Sequence, residues 1–440
     1  MNNEKYYKYC FPISDTNEED TLFDYQKEAI KNLNNHFNLD ISIPGRNGLL
    51  VMPTGSGKTH TVANWILKHC ITKGYQVIWL AHRVELVEQA FCELRDSVKY
   101  LKKQDFPFWK DSIRILPISS HHISAEDSYN ADIYVSTIQS LSSFYGLGLD
   151  NLKYMLNKDC RDKLIVVIDE AHHTVSKTYQ ALIKRIKHYR LSPNCIILGL
   201  TATPYRVNKN ENETLKAIYD MNESETGNGF VYEVKISTLI KNGTLSRPIY
   251  IPVNTNFNGI DVFAKDSEAL EYFQRYRELS PSLMKKMANH MVRNATIVEE
   301  YLKNKHKYGK TLIFALTQTH AKTLCKKLRE NGINCDYAIT DRDDSLQVIQ
   351  RFKENAGIDV LVNVNMMIEG SDVPDVQTVF LTRPTNSKSV LEQMIGRALR
   401  GKKAKSRNAE GTETAYVVAF HDFWDSYISF LDPLGIINPA

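Results

Sequence analysis

A glycine-rich run near the N-terminus constrains the fold of this chain more than any other feature of the sequence. Residues 52–59 read Met-Pro-Thr-Gly-Ser-Gly-Lys-Thr, between the apolar run 48–51 and a helix-like pattern over 61–67. The first pattern predicts a buried strand and the second an amphipathic helix. A glycine-rich turn in this position directs backbone N–H groups and the positive end of the helix dipole at one point. We therefore expect a polyphosphate-binding loop, with Lys58 on the β- and γ-phosphates and Thr59 on Mg²⁺.

Composition is that of an ordinary globular protein. The 440 residues suffice for two or three domains, and 42% are hydrophobic and 24% charged. The net charge of +4 neither requires nor excludes nucleic acid, so any basic surface must be local. Seven cysteines without a C-x-x-C pair indicate neither a zinc site nor a disulfide framework, and a cytoplasmic location is expected. Since no signal peptide and no apolar run of ~18 residues is visible, we expect no membrane partner.

Short apolar strands alternate with helical patterns from residue 48 onward, which predicts α/β domains with mostly parallel sheets. Strands of a first domain are expected at 48–51, 77–80, 132–135, 164–168 and 195–198, and strands of a second at 311–315, 360–362, 378–381 and 416–419.

The domain boundaries follow from changes in composition. We expect an N-terminal extension over 1–21, a first domain over 22–228, a connector with a helical insertion over 229–290, and a second domain over 291–440. The charged helical stretch 264–308 has two interpretations, an insertion that grips nucleic acid or a solvated spacer, and we favour the insertion.

Two carboxylates follow the predicted strand 164–168. Asp169 and Glu170 lie at the C-terminal end of a parallel strand, which is where α/β sheets bind ligands. Asp169 can hold Mg²⁺, and Glu170 can orient or deprotonate an attacking water. Alone, such a pair usually marks the start of a helix. Its position after a phosphate-binding loop predicts an enzyme that hydrolyses a nucleoside triphosphate.

Further motifs make the chain resemble the superfamily 2 helicases of the DEAD/DEAH class. The matching segments are residues 23–26, 80–89, 135–141, 200–206, 311–315, 363–374 and 393–400. The resemblance implies two tandem RecA-like domains and ATP and Mg²⁺ as cofactors. The residues of these motifs are similar to those of RadD-like proteins and of the motor subunits of type I and III restriction enzymes. XPB-type translocases are close relatives of that branch. That branch implies DNA more than RNA as the partner.

The resemblance also assigns roles to residues of the nucleotide site. It places ATP on Gln26, Thr54, Gly55, Ser56, Gly57, Lys58, Thr59, Gly370 and Asp372, with Mg²⁺ on Thr59 and Asp169. It assigns catalysis to Lys58, Asp169, Glu170, Gln393, Arg397 and Arg400, with Arg400 as the arginine finger. Since Arg397 and Arg400 are three apart on a predicted helix, we expect them on one face. ATP is then expected to bind between the two domains, so that hydrolysis is coupled to closure.

Contacts with nucleic acid are implied for residues at strand ends. They are Arg83, Thr137, Gln139, Thr317 and Asn363, while Thr201 and Thr203 are implied to couple the two sites. Without the resemblance, a Thr or Gln at such a position is more often a helix cap than a ligand.

Several other side chains have simpler expected roles. We expect His173 to be an ordinary exposed residue, Trp79 to lie in the core, and Tyr6, Tyr7, Tyr9 and Phe11 to pack against the first domain. Met52 stands where the phosphate-binding motif usually has its first glycine, which makes it the position to inspect for backbone strain.

Three functions are open at this point. The favoured one is an ATP-dependent DNA translocase or helicase, in DNA repair or in restriction and anti-phage defence. The others are an RNA helicase of the same fold and an ATP-gated scaffold that binds nucleic acid and recruits an effector. No nuclease motif is visible after residue 420, so cleavage would need a nuclease partner.

Overall fold

A computed structural model gives the structure of the chain as two α/β units. It describes residues 9–13, 20–40, 47–118, 131–142, 163–189, 195–204, 209–221, 229–257, 267–276, 279–364, 373, 375–385, 388–402 and 412–422. The first unit comprises Met1–Pro53 with Gly57–Val234, and the second comprises Thr54–Ser56 with Lys235–Ala440.

The first unit contains an eight-stranded sheet. Its strands are β1 (Cys10–Pro12), β2 (Asn47–Val51), β3 (Gln76–Ala81), β4 (Ser112–Ile118), β5 (Ile133–Thr137), β6 (Leu164–Asp169), β7 (Cys195–Thr201) and β8 (Tyr232–Glu233). They lie in the order β1-β4-β5-β3-β6-β7-β2-β8, and every described pair is parallel except β1 with β4. All five predicted strands are confirmed. Strand β4 was not predicted because Arg114 and Pro117 interrupt its apolar pattern.

Helices cover this sheet and fix its core. They are α1 (Asp24–Phe37), α2 (Lys58–Trp65), α3 (Val84–Ser97), α4 (Ile138–Ser142), α5 (Lys177–Tyr189) and α6 (Lys209–Ile218). Trp79 and Trp65 are fully buried, which confirms the core position expected for Trp79. Tyr9 and Phe11 pack on Phe91 with ring centroids 6.0 and 6.1 Å away, as expected, whereas Tyr6 and Tyr7 lie outside the described residues.

The second unit contains a six-stranded parallel sheet. Its strands are β9 (Arg247–Asn254), β10 (Thr311–Phe314), β11 (Cys335–Ala338), β12 (Val360–Asn363), β13 (Thr378–Leu381) and β14 (Thr414–His421), in the order β11-β12-β10-β13-β14-β9. Strand β9 pairs with β14 along its whole length. Residues 247–254, predicted to be part of a connector, therefore form an edge strand of this sheet.

The helices of the second unit include much of the stretch 264–308, for which an insertion was expected. They are α7 (Ile236–Lys241), α8 (Ser267–Tyr276), α9 (Pro281–Ala288), α10 (Met291–Tyr308), α11 (Gln318–Glu330), α12 (Ser345–Lys353) and α13 (Lys388–Gly396). Helix α10 contributes Ile297, Tyr301 and Tyr308 to the main core cluster, and α9 packs through Leu283 in a smaller one. These parts of the charged stretch 264–308 are thus core-forming elements of the second unit. None of the described helices combines the length and the apolarity that crossing a bilayer requires.

Candidate nucleotide site

The glycine-rich loop has the local geometry that phosphate binding needs. Strand β2 ends at Val51 and helix α2 begins at Lys58, with the Thr61 amide donating to the Gly57 carbonyl at 2.9 Å. Gly55 and Gly57 have φ of 85° and 77°, in the left-handed region where a side chain is disfavoured. The loop therefore turns directly into the N-terminus of a helix, where an anion is favoured.

Met52 shows no backbone strain. Its side chain is fully buried, and its amide donates to the Thr201 carbonyl at 3.0 Å, which continues the pairing of β2 with β7. Its backbone does not adopt a positive φ. The methionine is thus a core residue at the strand end rather than a strained part of the loop.

Gln26 lies against the loop. The Phe23 amide donates to Gln26 Oε1 at 2.9 Å, which fixes the side-chain amide at the start of α1. A Cβ atom added at Gly57 would lie 2.7 Å from Gln26 Nε2. The sequence motif upstream of the loop and the loop itself are therefore neighbours, and only a glycine allows that approach.

Lys58, Asp169 and Glu170 converge at the carboxyl edge of the sheet. Lys58 Nζ lies 3.8 Å from Glu170 Oε1, with side-chain exposures of 10% and 12%. The Glu170 amide donates to Asp169 Oδ1 at 2.9 Å. Burial, and then the neighbouring charge of Glu170, raises the pKa of Asp169 to about 6. The site thus combines one cation with two carboxylates in a largely desolvated position.

Glu170 holds a strained backbone conformation. Its φ and ψ are 49° and 55°, the left-handed region that costs a non-glycine residue roughly 1–2 kcal/mol. The residue joins β6 to a 3₁₀ turn over Ala171–Val175. Strain of this kind is retained where the surrounding structure fixes a functional side chain.

The residues predicted to couple the two sites reach the Glu170 carboxylate through a histidine. His172 Nδ1 lies 3.4 Å from Glu170 Oε2 and 3.2 Å from Thr201 Oγ1. The Thr203 amide in turn donates to Thr201 Oγ1 at 3.0 Å. Glu170, His172, Thr201 and Thr203 therefore form one connected polar chain inside the first unit.

His173 is not the exposed residue that the sequence suggested. It is half-buried, with its ring centroid 4.3 Å from that of His172 and 4.5 Å from that of His82. The rings meet because β3, which ends just before His82, lies beside β6 in the sheet. The neighbourhood of His82 and His173 could not be read from the sequence, since it depends on strand order.

The residues implied to bind nucleic acid differ in their environments. Thr137 Oγ1 accepts from the Ser140 amide at 3.0 Å, and Thr317 Oγ1 accepts from the His320 amide at 3.1 Å, so both cap helices. Asn363 is fully buried and donates to the Ile313 carbonyl at 3.1 Å, which makes it a bridge between strands rather than a surface ligand. Arg83 is half-buried and Gln139 exposed, both just after strands of the first sheet.

The arginines of the second unit do not share a helix face, and that prediction is wrong. Helix α13 holds the buried Gln393 but ends at Gly396, so Arg397 lies in the turn that follows and Arg400 in an isolated β-bridge with Leu245. The backbone decides this, because the Arg400 carbonyl accepts from Ser246 Oγ at 2.7 Å and from the Thr412 amide at 2.8 Å. Gly370 and Asp372 lie outside the described residues.

The donor set fits a nucleotide with Mg²⁺. Thr59, at the start of α2, and Asp169 offer a hydroxyl and a carboxylate, and Mg²⁺ takes few protein oxygens beside phosphates and waters. Within the described part of the chain, no three His, Cys, Asp or Glu side chains are grouped to hold a metal by themselves.

Comparisons with known proteins agree with this geometry. Residues 19–206 match the family model for the type III restriction enzyme, res subunit, and residues 293–402 match the helicase conserved C-terminal domain. A Saccharomyces cerevisiae protein provisionally named as the ATP-dependent helicase IRC3 is 29% identical over 392 residues, which are 86% of this chain and 49% of that protein. The DNA 3'-5' translocase XPB2 of Sulfurisphaera tokodaii is 23% identical over 407 residues, 87% of this chain and 79% of that protein.

Solved structures bear on the fold. Dbp5 of S. cerevisiae, bound to RNA and ADP BeF3, superposes with a TM-score of 0.59 at 18% identity, covering 94% of this chain and 88% of that one. This likeness shows the tandem RecA-like fold alone.

The chain spans about half the length of IRC3. The two matched domains, in this order along one chain, make it a member of the superfamily 2 helicases.

Proposed function

We propose that the chain is an ATP-dependent translocase or helicase that acts on DNA. The observation that carries the proposal is the convergence of Lys58 and Glu170 at the end of the glycine-rich loop, with Asp169 directly beside them. A lysine, a buried carboxylate and a second carboxylate at the carboxyl edge of a parallel sheet are the parts that phosphoryl transfer requires.

Bound ATP would supply the transferred phosphoryl group, and Mg²⁺ would neutralise its β- and γ-oxygens. Lys58, free to leave Glu170, would place its ammonium on the phosphates. Asp169 and Thr59 would hold the metal, since both present oxygen atoms at this edge. Glu170 would accept the proton of the attacking water, a role that its constrained backbone favours because it fixes where the carboxylate lies.

The second unit is proposed to supply the remaining positive charge. Arg397 and Arg400 follow helix α13, and the backbone hydrogen bonds of Arg400 fix where its side chain begins. We retain Arg400 as the arginine finger, with Arg397 and Gln393 as further γ-phosphate contacts. The roles of Gly370 and Asp372 likewise remain proposals carried by the motif.

DNA is proposed over RNA because of the chemistry named in the relatives. The XPB2 protein is named a DNA 3'-5' translocase, and the matched N-terminal family is that of the type III restriction enzyme, res subunit. The Dbp5 structure contains RNA, but at 18% identity it supports the fold and not the substrate.

The test is the ATPase rate of the full chain without nucleic acid, with duplex DNA, with single-stranded DNA and with a structured RNA. We expect DNA to stimulate hydrolysis most, and Lys58→Ala to abolish it. Lys27→Ala is the matched control, because that lysine pairs with Asp24 on the surface and its side chain is 63% exposed. Stronger stimulation by the RNA would overturn the choice of DNA. An ATPase rate that no nucleic acid raises above the rate without nucleic acid would overturn the motor function itself.

A further inference from the structure

Three histidine rings lie side by side in a row in the first unit, tilted by 40° and 37° from one ring to the next, and this row is called the stack below. The centroids of His172 and His173 are 4.3 Å apart, and those of His173 and His82 are 4.5 Å apart. His82 follows β3, whereas His172 and His173 belong to the 3₁₀ turn after β6. The stack thus connects the ends of two adjacent parallel strands across the surface of the sheet edge.

One end of the stack reaches the proposed catalytic carboxylate. His172 Nδ1 lies 3.4 Å from Glu170 Oε2 and 3.2 Å from Thr201 Oγ1. Because Glu170 is held in a left-handed conformation, a small shift of the following turn changes where its carboxylate points.

The other end of the stack adjoins a proposed contact for nucleic acid. His82 is followed at once by Arg83, the N-cap of helix α3, whose carbonyl accepts from the Val87 amide at 3.2 Å. The backbone of Arg83 is extended, with φ of −135° and ψ of 152°, so the chain passes from strand to helix between these two residues. If Arg83 moves to bind a phosphate of the nucleic acid, the backbone that it shares with His82 therefore moves as well.

We propose that His82 and His173 are positioning residues that transmit the binding of nucleic acid at Arg83 to the carboxylate of Glu170. This inference rests on the proposed motor function. Packed rings in van der Waals contact cannot move independently, so a displacement of His82 is passed to His173 and then to His172. The path needs no change in protonation, and it runs beside the hydrogen-bonded path through Thr201 and Thr203.

The test compares basal and nucleic-acid-stimulated ATPase activity of the full chain for three His173 variants, His82→Ala, the His82→Ala/His173→Ala double variant and one control. His173→Ala and His173→Asn remove the aromatic ring, and His173→Phe keeps a ring of similar shape. We expect basal rates within about two-fold of wild type, stimulation reduced at least about five-fold in the Ala and Asn variants, and stimulation restored by Phe. DNA affinity, measured by fluorescence anisotropy, is expected to be unchanged because neither ring is proposed to touch the DNA.

His69→Ala is the matched control, since His69 is a half-buried histidine of the same unit that contacts Asn34 instead. It should retain full stimulation. His82→Ala should behave like His173→Ala, and the double variant should be no worse than either single one, because both interrupt the same path.

Two outcomes would overturn the inference. Wild-type stimulation in His173→Ala would show that the stack transmits nothing, and parallel loss of basal and stimulated rates with no rescue by Phe would show a purely structural role. The wild-type protein separates these failures from failure of the motor function, since a wild type that no nucleic acid stimulates would overturn both proposals together.

Discussion

Lys58 and Glu170 form an ion pair at the phosphate-binding loop, with Nζ and Oε1 3.8 Å apart and both side chains about nine-tenths buried. The low local dielectric makes their attraction stronger than that of a surface pair. A polyphosphate that binds in the loop would therefore have to displace the Lys58 ammonium from the Glu170 carboxylate. That exchange would leave Glu170 with a higher proton affinity, which is what a general base at this position needs.

The first prediction separates nucleotide binding from hydrolysis. Glu170→Gln removes the proton acceptor but keeps the size of the side chain, so it should retain nucleotide affinity and lower kcat by about 10²–10⁴-fold. Lys58→Ala should lose both. Titration with a fluorescent nucleotide and a steady-state ATPase assay measure the two properties. Glu213→Gln, at a side chain that is 72% exposed, should change neither.

The second prediction concerns the cost of burying Asp169. Since burial raises the folded-state pKa of Asp169 to about 6 from 3.8, the native protein holds this proton more tightly than the unfolded chain. The free energy of unfolding must therefore fall as pH rises from about 4 to about 6. Asp169→Asn removes that penalty, so the variant should be more stable than wild type by about 1–3 kcal/mol at pH 7 and equal to it near pH 4.

Thermal unfolding in EDTA without nucleotide measures this difference, because no metal then compensates the carboxylate. Asp24→Asn, at a fully exposed position, should follow the wild type at every pH. A variant less stable than wild type at pH 7 would show that Asp169 is stabilised by its surroundings rather than strained by them.

The third prediction concerns a histidine that follows the phosphate-binding lysine. His60 Nε2 lies 3.2 Å from Asp20 Oδ2 and its Nδ1 lies 2.7 Å from Glu93 Oε1. Burial alone would lower its pKa, but hydrogen bonds and charge from Asp20 and Glu93 outweigh it and raise the pKa to about 9. This stabilisation is fully present below pH 6.5 and is lost as pH rises through 9. His60→Gln should therefore cost about 1–2 kcal/mol near pH 6 and little above pH 9.

Urea unfolding across that pH range gives the comparison. His69→Gln is the matched control, because burial lowers the pKa of His69. The pH dependence must therefore run the opposite way, and the free energy of unfolding of the variant should rise relative to that of wild type as pH falls. Parallel curves for the two variants would contradict the ion-pair account of His60.

The sequence was informative where chemistry is local. The strands β3, β6 and β7 are apolar on both faces, and the glycines of the loop are required by backbone angles, so both features were predictable. The end of α13 at Gly396 was not, because tertiary hydrogen bonds to the Arg400 carbonyl decide it. Contacts such as His82 with His173 depend on which strands are neighbours, which a single sequence does not specify.

Helix α10 shows a different limit of sequence patterns. Its charged sequence suggested either an insertion that grips nucleic acid or a solvated spacer, yet Arg293 and Asn294 lie on its buried face. Sequence patterns treat a charged side chain as exposed, whereas Arg293 is buried because its charge is matched by a residue 129 positions later, Asp422.

The last prediction tests that buried pair. Arg293 Nε and Nη2 donate to the two oxygens of Asp422 at 2.7 and 2.8 Å, both side chains are fully buried, and Thr255 Oγ1 donates to Asp422 Oδ1 at 2.6 Å. The pair joins the start of α10 to the end of β14. Asp422→Asn leaves the guanidinium without a counter-charge and should destabilise the protein by about 3–5 kcal/mol.

Denaturant unfolding of the full chain measures this cost. Two further variants test whether the cost comes from an unpaired buried charge. Glu413→Gln breaks the exposed pair with Lys402 and should have no measurable effect. Arg293→Met combined with Asp422→Leu removes both charges together and should recover much of the loss, because the penalty comes from an unpaired buried charge rather than from the missing attraction. If Asp422→Asn were as harmless as Glu413→Gln, the pair would not be what holds α10 against the sheet.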